Sequence, residues 1–492
     1  MLSFLFFIFI QKCKPMRQKL QSFQEFTQSL YPHEIDYLIH FQNFNKEINE
    51  KILRQIHYNL TSGRPPKEFD QNIDKRTYSY LKNWIQTTLS KIDIDEHLSW
   101  LMETELKVIT DKITPEDEAE LVANMKTIRP AHYNFIRFYN AIQYYWEYLM
   151  VRGQTNNLNI VANFLNENAE TYKRLKELNL ELNNITDKLV KNEDLKQEEQ
   201  QEIENFLSET YWNEENDGYT RYRAVVRLTI YFYNRRQFQK LVSIYENLDQ
   251  VLKTPIFYCK RVLANYYANR AMMHSKLNEL EQARKYGYLS IRNKNSDYLF
   301  YMVNLCNVLI KQKKKEEAYK MMQSALSTLK QTGNYYYKIG FVSFYIRTLL
   351  EINKVNQAIE YASGFFDAFK NEIFEHRWHL FISNYLKALI HGKKYAKALS
   401  ICRRYKLVTK EKQRMHRADY LPVIQYYSLV LEYQENQISK DKFLAALMKS
   451  SQEMMNNAYQ TQRINDLLDE IHDYLPEEIS ELKRKIAVLR KK

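Results

Sequence analysis

At 492 residues the chain has room for two or three domains of ~150 residues each, and it carries a formal charge of +13. It holds only 8 Gly and 9 Pro, where average usage would give nearer ~60. That excludes turn-rich β architectures and glycine-lined nucleotide loops, which need φ > 0; no GxGxxG, GKS or GKT occurs, and an all-α protein is predicted.

The charge has two readings. One is an acidic partner: nucleic acid, a membrane surface or an acidic peptide. The other is composition, since Lys, Asn, Ile, Tyr and Phe are abundant together, as in AT-rich genomes, and basic residues alternate with acidic ones. The second is preferred. Cys13, Cys259, Cys306 and Cys402 lie far apart and form no CxxC, which predicts buried thiols in a reducing, cytoplasmic compartment.

The opening MLSFLFFIFI holds nine apolar residues, too few to span a bilayer, which takes ~20. No basic residue precedes it and no small-residue cleavage site follows. Met16 opens an ordinary polar helix and reads as the true start, leaving residues 1–16 as a doubtful N-terminal extension, with a membrane anchor as the alternative. Residues 17–152 read as a helical N-terminal domain. Pro32 starts a helix carrying Ile35, Leu38 and Phe41, and Ile48, Ile52, Ile56 and Leu60 make one face of the next. The loop 61–72 is the chain's only Gly/Pro cluster and is expected to be a mobile excursion. Tyr78, Leu81, Ile85, Leu89 and Ile92 follow at helical spacing, then Leu98, Leu101, Met102, Leu106, Ile109 and Ile113. Thr114-Pro115-Glu116-Asp117 is a helix start with cap, first-turn proline and acidic first turn. The aromatic run from Tyr133 to Trp146 is assigned to a core rather than to base stacking, because Arg137 alone interleaves with it.

Gly153 marks a boundary. Residues 153–218 read as a helical linker or hairpin, with Leu175, Leu178, Leu182, Ile185 and Leu189 on one seam. From Tyr258 to Tyr405 one pattern returns four times: an apolar helical run, a short polar turn, and a second amphipathic run. The second-run alanines are Ala283, Ala318, Ala358 and Ala398, spaced by 35, 40 and 40 residues. A more degenerate copy precedes them, with Leu241 in the alanine slot. A recurrence of this length predicts stacked helical units, none of which buries its own apolar face alone. Residues 219–435 are assigned to these repeats and 436–492 to C-terminal capping helices.

The unit resembles the tetratricopeptide repeat. Ala271 and Cys306 fill the small slot of the first helix, where Ile346 and Leu386 depart from it. His274, Leu309, Leu349 and Leu389 follow one turn later. Leu280, Val355 and Tyr395 sit just before the second helix, where Lys315 departs. Ser290 and Ala325 supply a second small contact one seven-residue step past Ala283 and Ala318. The resemblance covers residues 219–405 and implies an α-solenoid whose first helices line a surface for an extended peptide or a helix. Carried over, that inward stripe is Asn269 and Met272, Asn304 and Asn307, Phe344 and Arg347, then Asn384 and Lys387. Asparagine amides can clamp a peptide backbone from donor and acceptor ends, and the two cations suit a carboxylate. Ala268 stands where the clamp's first lysine would be. The alternative is that the asparagines bond to neighbouring helices.

No catalytic constellation emerges. Glu372, His376 and His379 are spaced to share a helix face, but no HExxH is present and no zinc set is complete. No GxSxG occurs. The expectation is therefore a non-enzymatic, cytoplasmic protein without metal or cofactor that binds another protein. A nucleic-acid-associated repeat protein using its positive charge is the alternative. An N-terminal helical bundle before such repeats also loosely resembles peptide-sensing bacterial regulators.

Overall fold

The computed structural model describes residues 20–489, apart from 64, 192–195, 416–419 and 456–457. Met16, Cys13 and the last three residues of the basic C-terminus lie outside the described residues. Among those described, the protein contains 25 α-helices and no strand. None of these helices is long and apolar enough to cross a membrane. The chain divides into two compact units, residues 1–295 and 296–492.

In the first unit, α1 (Gln21–Gln28), α2 (Pro32–Phe41), α3 (Glu47–Thr61) and α4 (Lys75–Ser90) come first. Next are α5 (Ile94–Ile109), α6 (Pro115–Thr127), α7 (Phe135–Arg152) and the 34-residue α8 (Leu158–Lys191). Then α9 (Gln197–Trp212), α10 (Gly218–Arg235) and α11 (Lys240–Val251) lead to α12 (Lys260–Lys276) and α13 (Leu280–Ser290). The starts follow from sequence: Pro32 and Pro115 stand at first-turn positions, and Thr114 with Asp117 closes a capping box.

Two apolar cores share this unit. One joins residues of α1–α4 to the second half of α8 and to α9–α13; the other joins α5–α7 to the first half of α8. The long α8 serves both, through Val161 and Leu175 in one and Leu182, Ile185 and Leu189 in the other. The cores therefore part along a line other than the composition break at Gly153. The aromatic run is core: Tyr133, Phe135, Phe138, Tyr139 and Tyr145 are buried, though Tyr144 and Trp146 reach the surface.

Two expectations change here. The loop 61–72 is tied down: Phe69 is buried, Gln55 donates to the Lys67 and Glu68 carbonyls, and Tyr78 donates to that of Asp70. The stripe expected on α5 is only partly inward: Leu101 is buried, but Met102, Leu106 and Ile109 are 57–62 % exposed, and the buried face runs through Ile94, Leu101, Thr104 and Val108.

A polar joint fastens α2 to α12. Glu34 is fully buried, and its carboxylate accepts from the Tyr258 hydroxyl at 2.6 Å and the Tyr31 amide at 2.7 Å. Burial raises its pKa. Beside it, His33 Nε2 lies 3.2 Å from Asp249 Oδ1 and its Nδ1 lies 2.5 Å from the Tyr267 hydroxyl.

The second unit begins with α14 (Tyr298–Lys311), α15 (Lys315–Ser324) and the short α16 (Leu326–Gln331). Then come α17 (Tyr335–Glu351), α18 (Val355–Glu375), α19 (Trp378–His391), α20 (Tyr395–Arg404) and α21 (Leu407–Lys412). It closes with α22 (Val423–Gln434), α23 (Lys440–Met454), α24 (Ala458–His472) and α25 (Pro476–Leu489). Helices pair in order, α14 with α15, α17 with α18, α19 with α20; each first helix also packs on the next, α14 on α17, α17 on α19 and α19 on α22.

One turn joins these pairs, and it also occurs in the first unit. Asn278, Lys313, Asn353 and Lys393 all take φ of 54–63°, spaced by the same 35, 40 and 40 residues as the alanines. The next amide in each case donates back to the carbonyl five residues earlier: Glu279 to His274, Lys314 to Leu309, Lys354 to Leu349 and Lys394 to Leu389, at 2.8–2.9 Å. This is the Schellman closure, which satisfies carbonyls the helix end would otherwise orphan. Arg236 and Asn436 do the same. Asn, Lys and Arg thus occupy the left-handed position that glycine usually takes, which is how a glycine-poor chain makes so many helix turns. Leu280, Val355 and Tyr395 are the first residues of their helices rather than residues preceding them. The four alanines, with Leu241 and Ala325, are fully buried.

A candidate binding stripe

Because the turn fixes the phase between paired helices, the first helices of the second unit bury the same positions. Phe381, Ile382, Tyr385, Leu386, Ala388 and Leu389 are buried in α19, and the residues 40 and 80 earlier are buried in α17 and α14. What each helix leaves part-exposed also recurs: Asn304, Phe344 and Asn384, and one turn on, Asn307, Arg347 and Lys387. These six expected residues thus lie at corresponding positions of three successive, mutually packed helices. Asn269 and Met272 are part-exposed on α12 of the first unit.

Two of the asparagines are engaged locally. Asn384 Nδ2 donates to the Leu380 carbonyl of its own helix at 2.8 Å, and Asn269 Nδ2 to Asn265 Oδ1 at 2.9 Å. The Arg347 guanidinium lies 5.7 Å from the Phe344 ring centre. Glu351, one turn further, pairs with Lys315 at 2.7 Å. Burial alone would raise the Glu351 pKa; the Lys315 contact, helped by the Arg347 and Lys387 fields, outweighs it and lowers it.

Lys387 is already held: Glu470 of α24 pairs with it at 2.7 Å and also accepts from the Tyr427 hydroxyl. Tyr427 stands 40 residues after Lys387, so it occupies the stripe position of the next first helix, and Glu470 comes 43 later. At that point the stripe closes, because Ile424 and Tyr427 are buried and the Tyr474 ring meets His391 edge-on at 4.9 Å. Continuing the 40-residue count would have found Tyr427. The pairing with Glu470 has no local signal.

The other candidate groups are accounted for. Glu372, His376 and His379 do not share a helix face: α18 ends at Glu375 and α19 starts at Trp378. His379 instead meets the fully buried Glu411 at 2.6 Å, whose carboxylate also accepts from the Ile424 and Gln425 amides at the start of α22. Asp93, Asp95 and Cys259 are the one group of metal-capable side chains that converge among the described residues. Asp93 is spent capping α5, and Asp95 is held by the Arg261 guanidinium at 2.8 and 3.2 Å. Burial drives the Cys259, Cys306 and Cys402 thiols up, Cys402 to about 12, so none is poised as a nucleophile.

No protein-family model, curated protein or solved structure matches this chain.

Proposed function

We propose that the protein is a non-catalytic, cytoplasmic binding protein, a scaffold or regulator, built on a tetratricopeptide-like α-solenoid. Its second unit holds a peptide or helix of a partner protein along the stripe of α14, α17 and α19. The supporting observation is that Asn304, Phe344 and Asn384, with Asn307, Arg347 and Lys387, recur in the same part-exposed phase on three packed helices. Such a row offers hydrogen bonds and an aromatic face at regular intervals, which suits a chain laid across the helices. A ligand carboxylate meets Arg347 first, because Lys387 must leave Glu470 before it can bind.

A photo-crosslinking residue at Asn307 in the full chain should trap one partner in the native host, and the Phe344→Ala/Arg347→Ala variant should lose at least ~10-fold of that capture, as hot-spot truncation does. Unchanged melting would show that the fold survives. Equal trapping by the variant, or by a crosslinker at the exposed Lys320 of α15, would sink the proposal.

A further inference from the structure

We infer that the surface of α20 and α21 binds the phosphate backbone of a nucleic acid. The observation is a segregation of charge. The second unit holds 32 Lys/Arg against 21 Asp/Glu, net +11, and the first 40 against 38, net +2. Within the second unit the excess concentrates at His391–Met415, which carries nine Lys/Arg and one carboxylate, Glu411. That carboxylate is fully buried and turned inward onto His379 and the start of α22, so it pairs with none of the surface cations.

Eight of the nine cations are exposed, all but Arg414, and no carboxylate of the described residues lies within ion-pair distance of any of the eight. Their contacts are neutral: Lys397 donates to Ser363 Oγ at 3.2 Å, Arg404 lies over the Tyr405 ring and Lys410 over that of Phe374. Elsewhere the protein pairs its helix cations one turn apart, as in Lys51–Glu47, Arg54–Glu50, Lys107–Glu103 and Lys485–Glu481. Leaving eight like charges uncompensated costs self-repulsion, which a polyanion relieves.

Within His391–Met415 the one exposed large apolar side chain is Met415, at its very end; none is exposed between Lys393 and Lys412. Protein interfaces need apolar or aromatic anchors at their centre and are depleted in lysine. A phosphate backbone needs neither, since released counterions drive its binding. Between Lys393 and Lys412 no exposed aromatic ring is offered for bases to stack on, so binding is independent of sequence. It lies on helices other than those of the stripe and does not depend on the reading of that stripe.

The test is fluorescence anisotropy of the full chain with a labelled 20-nucleotide single-stranded RNA and a 20-base-pair duplex, from 50 to 300 mM KCl. We expect saturable binding that weakens log-linearly with salt. Lys397→Ala/Arg404→Ala/Lys410→Ala should weaken it at least ~10-fold at 100 mM and make the slope shallower by about 2–3. Lys51→Ala/Arg54→Ala, in the charge-balanced first unit, should leave it unchanged. Absence of binding at 50 mM KCl overturns the inference, as does a triple variant that melts like wild type and binds equally well. Binding of poly-L-glutamate but of neither nucleic acid also overturns it and makes the patch a protein dock.

Discussion

His97 and His132 pack with ring centres 4.6 Å apart, and both present Nδ1 to Asn134: its amide donates to His132 at 3.2 Å, and its side-chain nitrogen lies 3.2 Å from His97. Both imidazoles are therefore neutral, with the proton on Nε2. Burial, reinforced by the neighbouring ring, lowers the His132 pKa from 6.5 to about 4, and burial lowers that of His97. The unfolded chain takes up these protons first as pH falls, so the stabilisation is complete above 6.5 and is lost between 6.5 and about 4. Asp93 and Asp217, raised by burial to about 6, work in the opposite sense: their contribution is complete below 3.8 and lost as pH rises through about 6. The difference between wild type and His97→Gln/His132→Gln isolates the histidines. Chemical unfolding should show the wild type losing on the order of 2 kcal/mol relative to the variant between pH 7 and 4.5. A difference that stays constant with pH would mean the rings are not held neutral. Nothing in the sequence marks these residues, because the pair forms only when α5 meets the segment before α7.

Helices were legible from spacing, and their turns were not. A left-handed Lys or Asn at a helix end carries no letter code as glycine does, so the shared closure at Asn278, Lys313, Asn353 and Lys393 shows only in the backbone. That closure is testable. An L-residue at φ near 60° costs ~1–2 kcal/mol, part of which glycine returns through unfolded-chain entropy. Lys313→Gly should therefore stabilise by ~0.5–1 kcal/mol in urea unfolding, whereas Lys320→Gly, exposed inside α15, should destabilise by ~1 kcal/mol. If both destabilise alike, the turn is not under that strain. Orientation also escaped the sequence. Leu98, Leu101, Met102, Leu106, Val108 and Ile109 fall on one broad side of α5, wider than the face it buries, so spacing does not say which edge goes inward, and the neighbours chose the one through Leu101, Thr104 and Val108.

The all-α class followed from the shortage of glycine and proline, and the recurring alanines located the paired helices. The division after Asn295 did not follow, because the repeat pattern runs through it unbroken. At the candidate stripe, six residues were legible as a row. The Glu470 pairing and the buried Glu411, hidden inside a segment that reads as basic and solvated, depend on contacts between residues distant in sequence. Ala318 tests the packing of the second unit: it is fully buried where α15 meets α14. Ala318→Arg should cost at least ~3 kcal/mol, against less than ~0.5 for Lys314→Ala. Hydrogen exchange should show lost protection confined to residues 296–492, since the damage passes between neighbouring helices. Protection lost equally in both units would mean that they unfold as one.

The closure of the stripe at Tyr427 and Glu470 sets a measure for whatever lies along it. Three packed helices span two interaxial steps of ~8–10 Å, about 16–20 Å in all. At ~3.3 Å per residue an extended chain crosses that distance in five or six residues, and a helix laid the same way uses about three turns. On the proposed reading the recognised element would be a short linear motif, free to lie anywhere along a flexible segment so long as its carboxylate falls opposite Arg347.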